Sequence, residues 1–241
     1  MPFRDKYRKI LILGSAPDAV EAADRDVSVF DAVVAINNAW RITPDWTHSI
    51  FPSDFPIEKH PIAGADQSLH SADEYVPAQN EFGGFVYAGG TMAFTAAYWS
   101  LFTFRPDVIA FLGCDMVYSG ANTHFYGRGT ADPLRVDPTL RNLEAKATRF
   151  GALGQQAGCQ TFNLSSQSES RLTFPRITFE DIASSNYPGS KEYNSTVVET
   201  ALAKERSLDY FVESGKYWKE TERFNVEEID RLDQLWLDCA R

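Results

Sequence analysis

Side chains that can do chemistry are concentrated in one stretch, directly after a run of apolar residues. The run VIAFL at positions 108–112 lies between Pro106-Asp107 and Gly113, which is typical of a strand buried on both faces. The polar and aromatic residues that follow it are Cys114, Asp115, Tyr118, Ser119, Asn122, Thr123, His124 and Tyr126. Open parallel sheets bind ligands beyond the carboxyl ends of their strands. The sequence therefore predicts a ligand site in this stretch.

Within that stretch, His124 is suited to remove a proton from a hydroxyl group near neutral pH. Tyr118 and Tyr126 can donate hydrogen bonds to a leaving phosphate as its charge develops. Alternatively, Asp115 with Asp132 or Asp137 can hold Mg²⁺ against a triphosphate, because hard cations prefer carboxylates. A structural role for His124, fixing the loop through the backbone of Thr123, is a third reading. Cys114 is interpreted as a small buried residue rather than a nucleophile.

Composition narrows the classes of partner. The chain has 241 residues and a formal net charge of -10, and no cluster of Lys and Arg suits a nucleic-acid surface. Its three cysteines lie far apart without a CxxC spacing, so neither a disulfide framework nor a zinc ribbon is indicated, and a reducing, cytoplasmic location is expected. The most apolar window, residues 91–104, is too short to span a bilayer, so no integral membrane segment is expected.

Three further strands are predicted to bring polar groups to the same edge of the sheet, at residues 10–13, 32–36 and 49–51. The first runs into a helix that Ser15 can cap and Pro17 can open, which ends near residue 24. The candidate ligand-binding residues that follow these strands are Gly14, Ser15, Asn37, Asn38 and Asp54. An ordinary strand-to-helix connection and turn-forming asparagines are the plain alternatives.

Residues 85–87 are predicted as a fourth strand, followed by Gly89, Gly90 and Thr91 and by a helix at 92–103. This helix is apolar nearly all round, which indicates burial. The glycine pair permits close approach of a ligand to backbone N–H groups, with Thr91 as a hydroxyl donor, although a simple chain reversal would use the same residues. The order strand, helix, strand favours a right-handed crossover and parallel pairing.

The remaining segments are predicted as supporting structure. Residues 55–81, with three prolines, are predicted as an irregular excursion that can form a lid, and its histidines, His60 and His70, as surface residues. A helix at 137–157, with Arg141 and Glu144 placed to pair on one side, precedes a short strand at 159–164 whose end, at Ser165, faces the cleft. Helices are expected at 195–204, 208–216 and 226–240.

The predicted fold class is therefore α/β, with a Rossmann-like, mainly parallel sheet, helices on both faces and a helical C-terminal extension. Residues 1–184 are expected to form the Rossmann-like domain and residues 185–241 the extension. The last helix has an apolar stripe formed by Val226, Ile229, Leu232, Leu235 and Trp236. This stripe must bury against the sheet domain or against a second subunit, which would make a homo-oligomer.

Several short motifs together resemble two related protein families. They are GSAPD at 14–18, AINNAW at 35–40, PDW at 44–46 followed by Asp54, AGGT at 88–91 and GCDMVYSGANTH at 113–124. One family comprises motility-associated flagellin-glycosylation proteins and MptE-like 6-hydroxymethylpterin diphosphokinases, and the other the family 42 sialyltransferases. The resemblance covers about residues 9–181 and is strongest at 113–124.

The resemblance implies a Rossmann-like domain that binds a nucleotide, a CMP-sugar in the sialyltransferases and ATP in the pterin kinases. It places Ser15 and Asn37 at nucleotide-contacting positions, residues 89–91 at the helix start beside the nucleotide, and Asp115 at the acidic position after the central strand. The chain departs from the sialyltransferases at 15–17, which read Ser-Ala-Pro instead of Asn-Gly-Pro. It also has no histidine after position 124, where their catalytic histidine would lie.

The expected function is a nucleotide-sugar-dependent glycosyltransferase of the sialyltransferase type, with a CMP-sugar donor and a surface glycan or protein acceptor. Its catalytic residues would be His124, Asp115, Tyr118 and Tyr126, and glycosyl transfer would need no cofactor. The alternatives are an MptE-like, Mg²⁺-dependent pyrophosphate transfer from ATP and a non-catalytic module that binds a nucleotide or a sugar.

Overall fold

The computed structural model describes residues 8–118, 123–127, 135–187, 189 and 191–240. Within these residues one parallel sheet of six strands forms in the order β4-β3-β2-β1-β5-β6. The strands are β1 Lys9–Leu13, β2 Ala32–Ile36, β3 His48–Ile50, β4 Ser68–His70, β5 Val108–Leu112 and β6 Gln160–Asn163. The helices are α1 Ala72–Asn80, α2 Phe85–Ala88, α3 Met92–Phe104, α4 Leu143–Gln156, α5 Phe179–Ser184, α6 Ser195–Leu208 and α7 Val226–Asp238. The α/β, Rossmann-like prediction is confirmed.

Both faces of the sheet are buried, as the apolar strands predicted. Ile10, Ile12 and Phe111 belong to a core that also contains apolar residues of α1, α3 and α4. Leu11 and Leu13 belong to a second core, which residues of the 3-10 segment Pro17–Ala23 and of α5 complete on the opposite face. Because side chains alternate along a strand, β1 contributes to both cores. β1 pairs with β2 on one side and with β5 on the other, so the strand order reverses there.

Residues 85–87 and 55–81 do not have the predicted structure. Residues 85–87 form α2 rather than a strand, because Ala88 N donates to Gly84 O at 3.0 Å and Gly89 N donates to Phe85 O at 2.9 Å, which closes helical turns. Residues 55–81 are not irregular throughout, since they contain β4 and α1. Ser71 and Glu74 form a capping box at the start of α1. No helix in the described part of the chain is long and apolar enough to cross a bilayer.

His70 is not a plain surface residue, because it joins edge strand β4 to its neighbour. His48 Nδ1 and His70 Nε2 lie 3.0 Å apart, and the His70 ring packs on Trp99 with centroids 4.3 Å apart. Burial, followed by the charge of His70, lowers the pKa of His48 to about 4. Burial also lowers the pKa of His70, which Glu74 partly offsets. Both rings are therefore neutral in the folded protein near pH 7.

The C-terminal helices bury their apolar side against the sheet domain of the same chain. Ile229, Leu232 and Trp236 of α7 pack with residues of α2, α4 and α6, whereas Val226 is 44% exposed. The predicted helix at 208–216 is wrong, because α6 continues to Leu208 and ends at Asp209, whose φ is 52°. The predicted helix at 137–157 is a 3-10 turn, Pro138–Leu140, followed by α4.

Charged residues join the two parts of the chain. Arg149 of α4 donates to both carboxylate oxygens of Glu205 in α6, at 2.7 and 2.8 Å, and Trp236 Nε1 donates to the same carboxylate at 2.9 Å. Arg149 also donates to Tyr98 Oη at 2.7 Å, and both members of the ion pair are buried. Lys146 and Asp233 form a second buried pair at 2.8 Å. Arg141 and Glu144 do not pair with each other as predicted: they pair with Asp230 and Arg171 respectively.

We expect the histidine pair to make the protein sensitive to acid. The unfolded chain binds a proton on His48 near pH 6.5 and the folded chain only near pH 4, so stability falls as the pH drops through that window. Each such group contributes a slope of up to ~1.4 kcal/mol per pH unit. Urea unfolding at several pH values should show a shallower acid dependence for His48→Gln than for the wild type. His60→Gln is the control and should keep the wild-type slope; equal slopes in all three proteins would contradict the expectation.

We expect Glu205→Gln to destabilise the protein by about 3–5 kcal/mol, because it leaves the buried Arg149 guanidinium without its counter-ion. Equilibrium urea unfolding measures this loss. Glu180→Gln is the matched control. Glu180 pairs with Arg25 at the exposed surface, so this variant should lose no more than about 1 kcal/mol of stability. Similar small losses in both variants would show that the buried pair does not hold the extension in place.

Candidate functional site

The loops after β1 and β5 close on each other at the point where the strand order reverses. Gly14 N donates to Leu112 O at 2.8 Å, and Ala16 N donates to Gly113 O at 2.9 Å. A Cβ on Gly14 would lie 2.2 Å from Gly113 O, so a larger residue cannot occupy this position without moving backbone. The close packing of the two loops therefore requires glycine at position 14, whether or not this residue contacts a ligand. Ligands of doubly wound sheets bind in this region.

His124 lies in a short backbone hairpin that is attached to the turn after β1. His124 and Gly127 exchange backbone hydrogen bonds of 3.0 and 2.9 Å, and Phe125 N donates to Ser15 O at 3.0 Å. The predicted residues Ser15 and His124 are thus brought together, although their positions are more than 100 apart in the chain. The hairpin places an imidazole at the carboxyl edge of the sheet, where the sequence predicted it.

The surroundings of His124 favour a neutral ring with one nitrogen free to accept a proton. Burial lowers the pKa of His124 below its ordinary value. Its Nδ1 lies 2.9 Å from the side-chain oxygen of Thr123, not from the backbone. In the tautomer in which Nδ1–H donates to Thr123, Nε2 has the lone pair that a general base requires.

Two tyrosines flank this imidazole. The ring of Tyr126 stacks on His124 with centroids 5.0 Å apart, and that of Tyr118 lies at 6.2 Å. Burial, followed by the charge of Cys114, raises the pKa of Tyr118 to about 12, so its hydroxyl keeps its proton and can donate. Tyr126 is 42% exposed. Three of the four predicted catalytic residues therefore form one cluster.

The fourth, Asp115, belongs to a different cluster. It is 2% exposed, and its Oδ2 lies 2.8 Å from Ser165 Oγ, which also lies 2.7 Å from Oδ2 of the buried Asp18. Ser165 has one hydroxyl proton and two carboxyl neighbours, so the geometry assigns a second proton to one of the carboxyls. Burial raises the pKa of Asp18, the hydrogen bond from Ser165 lowers it and the charge of Asp115 raises it, so the net shift is upward.

Sequence reasoning missed this cluster. It gave Asp18 no role in a site and placed Ser165 facing the cleft. The sequence does contain a signal for this cluster, because Asp18 follows β1 as Asp115 follows β5. Only the fold, however, shows that both carboxyls contact Ser165. Ser166, by contrast, is exposed and donates to Glu21 at 2.5 Å. Cys114 is buried as expected, and burial raises the pKa of its thiol well above the ordinary value.

The asparagines after β2 lie at the same edge. Asn37 begins the 3-10 segment Asn37–Arg41 with a left-handed φ of 52°, and Asn38 is 7% exposed. The Oδ1 atoms of both are buried without a hydrogen-bond partner in the described part of the chain. Asp54 is exposed instead and lies near the hydroxyl of Tyr75 rather than in a crevice.

Gly89, Gly90 and Thr91 form the start of α3. Thr91 Oγ1 accepts from Phe94 N at 3.4 Å and donates to the sulfur of Met116 at 3.6 Å, which links this turn to the loop after β5. A Cβ on Gly90 would meet Thr139 Oγ1 at 2.4 Å and Tyr217 Oη at 2.8 Å. Side chains of this chain thus approach the glycine closely, and Tyr217 comes from the C-terminal extension.

Two cavities lie away from this edge. One of about 560 Å³ is bordered by α4 and α6, beside Arg149 and Glu205, and one of about 200 Å³ lies between Gly158 and Tyr193. In the described residues no group of three or more His, Cys, Asp or Glu side chains is placed to hold a metal ion. Ser119, Asn122 and Asp132, named above as candidates, lie outside the described residues.

The chain matches no protein-family model, no curated protein and no solved structure.

We expect Asp18→Asn to stabilise the protein at pH 7 to 8. The folded chain holds the Asp18 proton more tightly than the unfolded chain, so stability is lost as the pH rises from about 3.8 through the raised pKa of Asp18. An asparagine amide can donate to Ser165 without that cost, and ~1 kcal/mol of added stability would raise the Tm by a few degrees. Thermal unfolding at pH 4 and pH 8 measures the effect. The exposed Asp24→Asn serves as control; a lower Tm for Asp18→Asn at pH 8 would refute the shared proton.

Proposed function

We propose that this protein is a nucleotide-sugar-dependent glycosyltransferase that uses a CMP-sugar donor and a surface glycan or protein acceptor. The observation that carries the proposal is the attachment of the His124 hairpin to the turn after β1, through the bond from Phe125 N to Ser15 O. That turn borders the crevice in which a Rossmann-like sheet binds nucleotides. A base held at this position would lie next to the reacting end of a bound donor.

The residues around the imidazole fit the chemistry of such a transfer. His124 Nε2 takes the proton of the acceptor hydroxyl as the acceptor oxygen forms its bond to the anomeric carbon of the donor sugar. The bond from that carbon to the phosphate oxygen breaks, and the electron pair leaves with CMP. Tyr118 and Tyr126 can donate to the phosphate as its charge develops, because the Tyr118 hydroxyl keeps its proton at pH 7.

The resemblance of residues 113–124 to the flagellin-glycosylation proteins, and of the shorter motifs to the sialyltransferases, supports the same reaction class. It also supplies the main alternative, pyrophosphate transfer from ATP with Mg²⁺. For that cation Asp115 offers only its Oδ1, because the carboxyl is buried and its Oδ2 is bound by Ser165. A non-catalytic nucleotide- or sugar-binding module is the third candidate.

Thermal shift measurements with CMP, CDP, UDP, GDP and ATP, each with and without Mg²⁺, separate these candidates. Stabilisation by CMP without metal is the expected result. Stabilisation by ATP only with Mg²⁺ would support the pyrophosphokinase instead. Binding of CMP without turnover of any CMP-sugar would support the non-catalytic binding module. No stabilisation by any nucleotide would refute the proposal.

His124→Gln should lower kcat by roughly 10²–10⁴-fold while leaving the affinity for CMP unchanged, because the base acts on the acceptor proton. Thr123→Val should lower kcat less, since it removes only the partner that selects the tautomer. In the wild type, kcat should fall on the acid side below pH 6.5, as the lowered pKa of His124 requires. His60→Gln is the control histidine. An unchanged kcat in folded His124→Gln would exclude His124 as the base.

A further inference from the structure

The C-terminal extension reaches the candidate site through Tyr217. The Tyr217 hydroxyl donates to Asp137 Oδ2 at 2.9 Å, and its ring stacks with Phe85 at a centroid distance of 6.1 Å. The residue is 5% exposed, and burial raises the pKa of its hydroxyl, so it remains a donor. Because a Cβ on Gly90 would lie 2.8 Å from this hydroxyl, Tyr217 is in contact with the turn that begins α3.

Tyr217 and Asp137 orient an arginine that stays open to solvent. Arg135 contacts Asp137 Oδ2 through Nε at 3.1 Å and Nη2 at 2.9 Å, and its Nη2 donates to Tyr217 Oη at 3.4 Å. Asp137 is itself fixed by Thr139, whose Oγ1 donates to Oδ1 at 2.6 Å. The side chain of Arg135 is still 48% exposed. One edge of the guanidinium is therefore held in place while the rest can bind an anion.

An exposed aromatic ring adjoins the same tyrosine. Trp218 packs edge-on against Tyr217 with centroids 5.5 Å apart and is 60% exposed. Trp46, Trp99 and Trp236 are, in contrast, nearly fully buried. An exposed indole face binds ligands that present a flat apolar face, such as the C–H face of a pyranose ring. The guanidinium of Arg135, which contacts the hydroxyl of the same tyrosine, selects ligands that also carry a carboxylate.

We propose that Arg135 and Trp218 form the acceptor subsite, and that it takes a carbohydrate bearing a carboxylate, such as a hexuronic acid. The inference rests on the proposed glycosyl transfer and names the class of its acceptor. The subsite is linked to the candidate site by packing, because Tyr217 contacts Gly90 and the neighbouring Thr91 contacts Met116 in the loop after β5. The extension would thus supply specificity and the Rossmann-like part the nucleotide site.

The test is direct binding of sugars in the absence of nucleotide. Calorimetric titration with methyl glucuronide and with methyl glucoside compares an anionic and a neutral pyranose of the same ring. The wild type should bind the glucuronide about tenfold more tightly, which is the order of a charge-assisted hydrogen bond. Arg135→Gln should abolish this preference and Arg135→Lys should keep part of it. Trp218→Ala should weaken the binding of both sugars. Quenching of tryptophan fluorescence should disappear in Trp218→Phe.

Phe102→Ala removes another exposed aromatic ring, which is 43% exposed, and should change neither affinity. Equal affinity for the two sugars, or a preference that survives Arg135→Gln in the folded protein, would overturn the proposal. A loss of CMP affinity in Arg135→Gln would also overturn it, because the arginine would then bind the donor phosphate. The sugar titration needs no nucleotide, so the two proposals can fail separately. Glucuronide binding without CMP binding would refute the glycosyltransferase but not the sugar subsite. CMP binding without glucuronide binding would refute the subsite but not the glycosyltransferase.

Discussion

The arrangement of the molecule depends on the buried ion pair between Arg149 and Glu205. Arg149 belongs to α4, which also packs on the sheet, and Glu205 belongs to α6; Trp236 of α7 and Tyr98 of α3 bind the same pair. Neither charge is stable in the interior without the other, so these helices can only assemble together. The chain between α6 and α7, which carries Tyr217, is thereby held against the turn that begins α3.

The sequence correctly predicted those elements whose apolar pattern fits either a strand or a helix but not both. β1, β2 and β5 are apolar runs ended by turn residues, and α3 is an apolar segment too long for a strand. The run at 85–87 has no such property, because a triplet of large apolar residues suits a strand and a helical turn equally. Residues 55–81 were misjudged because three prolines suggested an irregular path, although Pro77 lies inside α1. Local hydrogen bonds close the turn of α2 and cap the start of α1.

Part of the candidate site was predictable, because the residues that follow parallel strands lie at one edge of the sheet. This placed His124, Tyr118 and Tyr126 correctly at the edge beyond β5. Contacts between distant segments were not predictable. Ser165 joins carboxyls that lie 50 and 147 positions away in the chain, and no local pattern encodes such a meeting. The role of the extension was equally hidden, since a tyrosine in a polar tail has no periodic signature.

The proton shared by Asp18, Ser165 and Asp115 changes the charge at the carboxyl edge of the sheet. The formal charge of -10 counts both carboxyls as ionised. With one proton retained, the cluster beside the first turn carries a single negative charge, so repulsion of an anion there is about half of what the composition implies. An anion bound nearby favours the protonated form in turn, so ligand binding and proton retention are thermodynamically linked.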